Sequence, residues 1–369
     1  MNRAQRNLHR LGELLADARR VLVLMHNHPD PDSLGGALIL RRVLQKHFAV
    51  QVVLAYGGLI GRAENRAMVA RLRIPVKRAR EIDFDRFDAV ILVDTQPGTG
   101  NNSLPPGRIP EAVFDHHPLR PETREVPLHD VRPEYGAVVT MLADYLEAAG
   151  LDLDRRLATA IFYAIRSETQ NLGREASAAD ARVFTQAFPL VDNRALAGIE
   201  QAPLSRDYLV ILDRAFRATR VYGRLAVTRL HRIPYPDVPA ELADLLLRVR
   251  DIDHALVMGV YGGQVYLSLR TLDRRVNAGR LLRRVVGSRG GAGGHEMIAG
   301  GRIDPRDFAR PPRLVEDWIA RRIRAACRLQ GKRPVPLLTR RRKAPVRLTR
   351  RRVPLRPPVA SSRRAARRK

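Results

Sequence analysis

The 369-residue sequence is poor in several things, and each shortage excludes something. Its single cysteine, Cys327, can form no internal disulfide, so the fold needs no oxidising compartment. A cysteine-rich zinc site is excluded too, and any metal must be held by histidine and carboxylate. No run approaches the roughly 20 apolar residues that span a bilayer, so no membrane partner is expected. In place of a signal peptide's apolar centre, the first twenty residues carry Arg3, Arg6, Arg10, Glu13, Asp17, Arg19 and Arg20. A cytoplasmic chain is therefore expected. No internal repeat is visible. Acid is missing from the far end: residues 331–369 hold 16 lysines and arginines and no Asp or Glu. The net charge is +28, which leaves +12 on the other residues. Both parts suit a polyanionic partner.

What is present is enough for real cores. Hydrophobic residues make up 45% of the chain, and the length suits two domains at about 100–200 residues each. Leu8, Leu11, Leu14, Leu15 and Ala18 recur at helical spacing. Val21 to Met25, Val50 to Leu54, Ala89 to Val93 and Ala112 to Phe114 are short apolar runs, as in strands buried on both faces. Helical stretches run from Leu34 to His47, Gly136 to Ala149 and Asp154 to Ile165. Strands alternating with helices predict an α/β domain with a mostly parallel sheet over 1–190. Pro189 and Pro203 bracket a looser stretch, taken as a linker over 191–208.

A smaller α/β domain is expected over 209–330. Gly223 to Leu230, His254 to Tyr261 and Gln264 to Arg270 read as strands, with Gly262-Gly263 as a two-residue hairpin turn. Asn277 to Val286 and Val315 to Leu329 read as helices, and Gly287 to Gly294 as a glycine-rich loop. Residues 331–369 read as a disordered Arg-rich tail, because they bury too little to offset ordering entropy. Such a tail binds RNA or DNA phosphates.

Three clusters carry chemistry. His26-Asn27-His28-Pro29-Asp30-Pro31-Asp32 follows the first apolar strand. If that segment is extended, Asp30 and Asp32 project to one side and need a cation between them. Asp94 closes the Ala89–Val93 strand, and Asp115-His116-His117 follows Phe114. Ligands of open α/β sheets bind beyond the carboxyl ends of the strands, where these groups can converge. Carboxylates with one or two imidazoles suit Mn²⁺, with Mg²⁺ as the alternative. More than four such ligands favour two ions, which clamp an in-line phosphoryl displacement. In the second domain, Gly293-Gly294-His295 lets backbone N–H groups approach a phosphate, and Arg270 offers a bidentate guanidinium. No Gly-Lys-Ser/Thr follows the glycines, so this is not a P-loop.

These motifs resemble the DHH phosphoesterases, in the branch that joins a DHH domain to a C-terminal DHHA1 domain. That branch contains nanoRNases, phosphoadenosine-phosphate (pAp) phosphatases and dinucleotide phosphodiesterases, with RecJ exonucleases more distant. The family's H-x-N-P-D-x-D is matched by His26 to Asp32, its strand-end aspartate by Asp94 and its triplet by Asp115-His116-His117. The family's glycine-glycine-histidine motif, closed by Ala-Gly, is matched by Gly293 to Gly301, and the S-x-R strand by Arg270. The resemblance covers residues 5–325.

It implies an active-site cleft between the domains and hydrolysis of short oligoribonucleotides, dinucleotides or a nucleotide 3′-phosphate by water activated between two ions. His26, Asp30 and Asp94 would hold one ion. Asp32, Asp94, His116 and Glu168 would hold the other. His117 would face the scissile phosphate, with Asp115 supporting it, and Arg270, Gly293, Gly294 and His295 would grip the nucleotide. A homodimer is a family-level expectation.

Two residues depart from the pattern: His28 stands for asparagine, and Glu168, in Ser167-Glu168-Thr169, for aspartate. The competing readings are a nucleic-acid-binding protein with a weakened DHH site and, less favoured, an inorganic pyro- or polyphosphatase.

Overall fold

The apolar runs build the first sheet because successive residues serve two different cores. Val21, Val23 and Met25 enter one cluster with Leu34, Val139 and Ile161, while Leu22 and Leu24 enter another with Phe87 and Val126. This is how a parallel strand covered on both faces is expected to pack.

The computed structural model describes residues 1–294, 296–309 and 311–338, and Met1–Leu337 form one compact unit. Its first part runs α1 (Arg3–Leu14), β1 (Arg20–Met25), α2 (Pro31–His47), β2 (Gln51–Tyr56), α3 (Ala63–Arg71), β3 (Val76–Arg78), β4 (Ala89–Val93), β5 (Ala112–Asp115), β6 (Leu128–Val131), α4 (Val138–Ala148), α5 (Arg155–Glu168), α6 (Ala178–Ala187) and α7 (Asn193–Glu200). The strands are all parallel, in the order β3-β2-β1-β4-β5-β6. That order reverses between β1 and β4, the switch point where open α/β sheets form a ligand crevice.

Two local devices shape the ground beside that crevice. Pro31 opens α2 at its first turn, where a missing N–H costs nothing. Gly35 and Gly36 then let α2 press on its neighbours. A Cβ on Gly35 would lie 2.9 Å from Val139 Cγ1, and one on Gly36 3.0 Å from Val138 Cγ1 and Val93 Cγ1. Farther out, buried Asp130 of β6 receives a two-pronged contact from Arg132 (2.9 and 2.7 Å), a hydrogen bond from the Tyr145 hydroxyl (2.6 Å) and an ion pair from Arg3 (2.7 Å). This charged knot joins α1, β6 and α4.

The second part runs α8 (Arg206–Ala218), β7 (Arg220–Tyr222), β8 (Leu225–Arg232), α9 (Val238–Leu246), β9 (His254–Tyr261), β10 (Gln264–Thr271), α10 (Ala278–Val286), β11 (Gly291–Gly294), β12 (Ile298–Ile303), α11 (Pro312–Ala326) and β13 (Val335–Pro336). The sheet order is β11-β12-β10-β9-β8-β7-β13, antiparallel except for β8 beside β9. Gly262 and Gly263 turn the β9–β10 hairpin with φ of 55° and 79°, the conformation a primed turn requires. Residues of α8 and α9 pack one face of the sheet, and residues of α10 and α11 the other. The only tryptophan, Trp318, lies on α11, edge-on to Phe308 with ring centroids 4.9 Å apart. Cys327 is the residue that ends this helix.

Four expectations need correction. The 191–208 stretch is not a bare linker, because α7 buries Leu196 and Ile199 in the first core. The glycine-rich segment is not loop throughout: Gly291–Gly294 form a strand, β11, paired antiparallel with β12. Its glycines hid a strand that carries almost no side chains. The stretch from Gly331 is not structureless throughout: Val335 and Pro336 pair with Val221 and Arg220 on the sheet edge. The expected tail from residue 339 onward lies outside the described residues. Finally, His26 to Asp32 is not one extended segment. Asp30 is the extended N-cap of α2, and Asp32 lies in its first turn. No helix among the described residues is long and apolar enough to cross a membrane.

Candidate metal centre

Asp94 is the hub of the crevice. It follows β4 with φ of 58°, a left-handed conformation that aspartate tolerates better than most residues. Its carboxylate is buried, and Oδ1 has no hydrogen-bond partner among the described residues. A buried anionic oxygen that accepts no hydrogen bond is costly unless positive charge meets it.

Three histidine rings converge on this carboxylate. His26, just past β1, places Nε2 3.4 Å from Asp94 Oδ2 and 3.7 Å from Asp30 Oδ1. His116, just past β5, places Nε2 3.5 Å from Asp94 Oδ1 and 3.6 Å from Asp32 Oδ2. His117 Nδ1 lies 3.6 Å from Asp94 Oδ1. Two histidines have their tautomer fixed by the backbone. His26 Nδ1 meets the Asn27 carbonyl at 2.9 Å, and His116 Nδ1 meets the Tyr135 carbonyl at 3.2 Å. A carbonyl only accepts, so both rings carry the proton on Nδ1 and turn Nε2 toward the carboxylates. Metal-ligating histidines are oriented in this way.

The ligand atoms of His26, Asp30 and Asp94 lie within 4.8 Å of one another, as do those of Asp94, His116 and His117. Asp94 belongs to both sets. This nitrogen and oxygen donor set, built around an orphaned carboxylate oxygen, fits a divalent cation.

The charges strain against one another. Burial, with Asp94, Asp30 and Glu168 nearby, holds the Asp32 carboxyl well above its ordinary pKa. Burial, with Asp30 and Asp94, raises Glu168. Burial opposes a charged His26, but Asp30 and Asp94 outweigh it and push the imidazole well up. The same contest at His117, won by Asp115, Asp94 and Glu168, raises that ring to about 10. Burial works against charge at Asp115 too, but His117 and His116 hold its carboxyl well down.

Asp115 organises its own triplet. Its Oδ1 accepts from the backbone N–H of His116 (2.8 Å) and of His117 (3.2 Å), and pairs with His117 Nδ1 at 2.9 Å. Behind it stands a residue that no motif or spacing marks. Fully buried Gln96 donates to Asp115 Oδ2 at 2.6 Å, while its own Oε1 accepts from Arg120 N and Thr123 Oγ1.

The remaining expected residues are placed less uniformly. Asp32 caps α4, accepting the N–H groups of Val138 (2.6 Å) and Val139 (3.0 Å), because the N-cap Ala137 offers no side chain. Glu168 ends α5 within electrostatic reach of Asp30, Asp94 and His116, but it belongs to neither convergent set. Arg270 is buried on β10 and donates from Nε to Asp244 Oδ1 of α9 at 3.0 Å. Gly293 and Gly294 lie in β11, and a Cβ on Gly293 would stand 3.7 Å from Arg120 Nη2. His295 lies outside the described residues. His28 sits in a left-handed conformation, φ 61°, with its ring edge-on to Tyr261 of the second domain at 6.2 Å.

The second domain closes over this crevice. Arg174 pairs with Asp244, Arg62 with Glu241, and Met297 N donates to Glu175 Oε1. Only packing brings these charges together, and no local spacing announces them.

A parallel sheet whose strand ends gather imidazoles around one shared aspartate, faced by a second sheet domain, defines a two-domain α/β protein with a candidate divalent-metal centre. Residues 20–165 match the profile of the DHH family N-terminal domain, and residues 223–321 match that of the DHHA1 domain. The chain belongs to this DHH/DHHA1 family.

An uncharacterized protein of Methanocaldococcus jannaschii is 32% identical over 286 residues, 77% of this chain and 58% of that protein. An A-adding tRNA nucleotidyltransferase of Geobacter sulfurreducens is 25% identical over 252 residues, 61% of this chain and 26% of that enzyme. The chain thus spans less than two thirds of either relative. Among solved structures, an exopolyphosphatase-related protein from Bacteroides fragilis superposes with a TM-score of 0.67 at 13% identity, covering 89% of this chain and all of that one. This likeness is one of fold.

Proposed function

We propose that the chain is a divalent-metal-dependent phosphoesterase that hydrolyses short nucleotide substrates: an oligoribonucleotide, a dinucleotide or a nucleotide 3′-phosphate. The observation that carries this reading is the pair His26 and His116. Each is locked by a backbone carbonyl and turns Nε2 toward Asp94, whose buried Oδ1 accepts no hydrogen bond among the described residues. His26, Asp30 and Asp94 hold one ion in this reading. Asp94, His116 and Asp32 hold a second, with Glu168 at its margin. Mn²⁺ is the ion we favour, with Mg²⁺ as the alternative. Such ions supply positive charge that polarises a phosphoryl oxygen and makes water acidic enough to attack at neutral pH.

The chain's own groups do the rest. His117 is the group assigned to stabilise charge developing on the phosphate. Asp115 fixes that ring through Nδ1. Arg270, Gly293, Gly294 and His295 of the second domain are assigned the nucleotide grip by the motifs they belong to.

The test is hydrolysis of a 5′-labelled RNA dinucleotide with Mn²⁺, beside Asp94→Ala. Wild-type protein is expected to release mononucleotide, and the variant to lose it by at least about a hundredfold, since the hub of the ligand set is gone. Absence of release together with absence of Mn²⁺ binding by calorimetry would overturn the proposal. A specific observation favours a second reading, nucleic-acid binding with a weakened metal site: Asp32 and Glu168 both stand outside the two convergent ligand sets. That outcome would bring it forward.

A further inference from the structure

The segment that follows α5 is unusual in its backbone. Gln170, Asn171, Leu172 and Glu175 all have left-handed φ, at 47°, 59°, 62° and 51°, and none is glycine. Side chains larger than glycine's resist this region, and such conformations persist where surrounding contacts over-determine them. Here the contacts are visible. Thr169 Oγ1 accepts from Leu172 N at 2.9 Å, and Arg174 N donates to the Thr169 carbonyl at 2.9 Å. Arg174 Nη2 donates to the Glu168 carbonyl at 3.1 Å. The strained loop therefore fixes the guanidinium of Arg174 beside the last residue of α5.

That guanidinium does not point into solvent. Arg174 Nη1 reaches Asp244 Oδ1 at 3.4 Å, the same oxygen that Arg270 Nε holds at 3.0 Å and Gln170 Nε2 at 3.3 Å. The two arginines come from opposite domains, and each side chain is only 10% exposed. Arg174 Nε is buried with no hydrogen-bond partner among the described residues. Burial, with Arg174 and Arg62 close by, holds the Arg270 guanidinium below its ordinary pKa. Two nearly dry guanidiniums on a single carboxylate oxygen are under-supplied with anion. A tetrahedral phosphate, with more oxygens and more charge, satisfies such a pair better than one aspartate can.

We propose that Arg174 and Arg270, one from each domain, form a clamp for a phosphate group of the substrate, and that Asp244 occupies this clamp as a placeholder which the phosphate displaces. The proposal rests on the phosphoesterase reading and adds to it a phosphate-binding residue, Arg174, and a built-in competitor, Asp244. Because Arg174 also holds the Glu168 carbonyl, phosphate binding and the end of α5 are mechanically joined.

The experiment is calorimetric binding of inorganic phosphate to the full chain in EDTA, with wild type, Asp244→Asn, Arg174→Gln, Arg174→Lys and the Asp244→Asn/Arg174→Gln double variant. The basic C-terminal run is common to all of them, so differences report the clamp. Removing the competing charge is expected to tighten phosphate binding about tenfold, and losing Arg174 to weaken it about tenfold, as for hydrogen bonds to charged groups. Arg174→Lys is expected to fall between wild type and Arg174→Gln. In the double variant the gain from Asp244→Asn is expected to vanish. Thermal melts establish that each variant is folded.

Unchanged affinity in folded Arg174→Gln, or affinity in Asp244→Asn no tighter than wild type, overturns the clamp. Because the readout needs neither metal nor turnover, failure of the dinucleotide assay with this pattern intact would sink the hydrolase reading and leave the clamp standing.

Discussion

At the scale of single residues, the crevice and the knot around Asp130 pose the same problem and solve it differently. In the crevice, carboxylates outnumber their partners and the deficit calls for a cation. At Asp130 the partners are complete. Burial disfavours the charged carboxyl there, but Arg132, Tyr145 and Arg3 outweigh it and hold its pKa below the usual carboxylate value. Its stabilising effect is therefore fully present above the unfolded pKa of about 4 and is lost as pH falls through the lower folded value. Asp130→Asn leaves Arg132 buried without its anion and is expected to cost about 3–5 kcal/mol at neutral pH. Urea unfolding checks this, and the variant should also lose stability less steeply than wild type below pH 4. The same scale shows what the sequence could reveal. His26, Asp94 and Asp115-His116-His117 were legible because each follows an apolar strand directly. Gln96, Arg62 and Arg174 were not, since a lone polar residue in a loop carries no mark of what will be packed against it.

At the scale of elements, strands β1, β4 and β5 were legible because each carries an unbroken run of buried apolar residues. Strands β11 and β12 were not, because glycines that open space in front of a sheet read as a loop. Helix α9 was missed as well: it is short and carries Pro239 in its first turn, and Glu241 and Asp244 meet Arg62 and Arg174 only once the two domains pack. Helix α2 shows why such details matter for the site. Its two glycines bring α4 close enough for Asp32 to cap that helix, which fixes Asp32 beside His116. Gly36→Val would insert bulk between Val138, Val93 and Leu142. A loss of about 1–3 kcal/mol is expected for such overpacking, measurable as a lower urea midpoint at unchanged slope. An unchanged midpoint would mean that α2 and α4 are not held as tightly as their geometry implies.

At the scale of the whole molecule, the chain divides its labour. One sheet brings the imidazoles and carboxylates together, the second domain meets Arg62 and Arg174 with Glu241 and Asp244, and charge is concentrated at the C-terminal end of the sequence. Ending the chain after Leu338 retains β13 and removes most of that basic run. The melting temperature is expected to stay as it was. Affinity for single-stranded RNA should fall, and its dependence on salt should flatten, because fewer phosphate contacts release fewer counterions. RNA affinity that survives the truncation would remove any binding role from these residues.

Trp318 on α11 and Cys327 at its C-terminal cap, each the sole member of its kind, both pack against the second core. Tryptophan emission and thiol labelling therefore watch one half of the molecule and are blind to the other. Burial already raises the Cys327 pKa, so capture by a thiol reagent will be slow until α11 lifts away. Circular dichroism, in contrast, averages over both halves. If the optical and dichroic unfolding curves separate, the half carrying the imidazoles and the half carrying Trp318 melt as distinct cooperative units; if they coincide, the ion pairs across the crevice weld them into one.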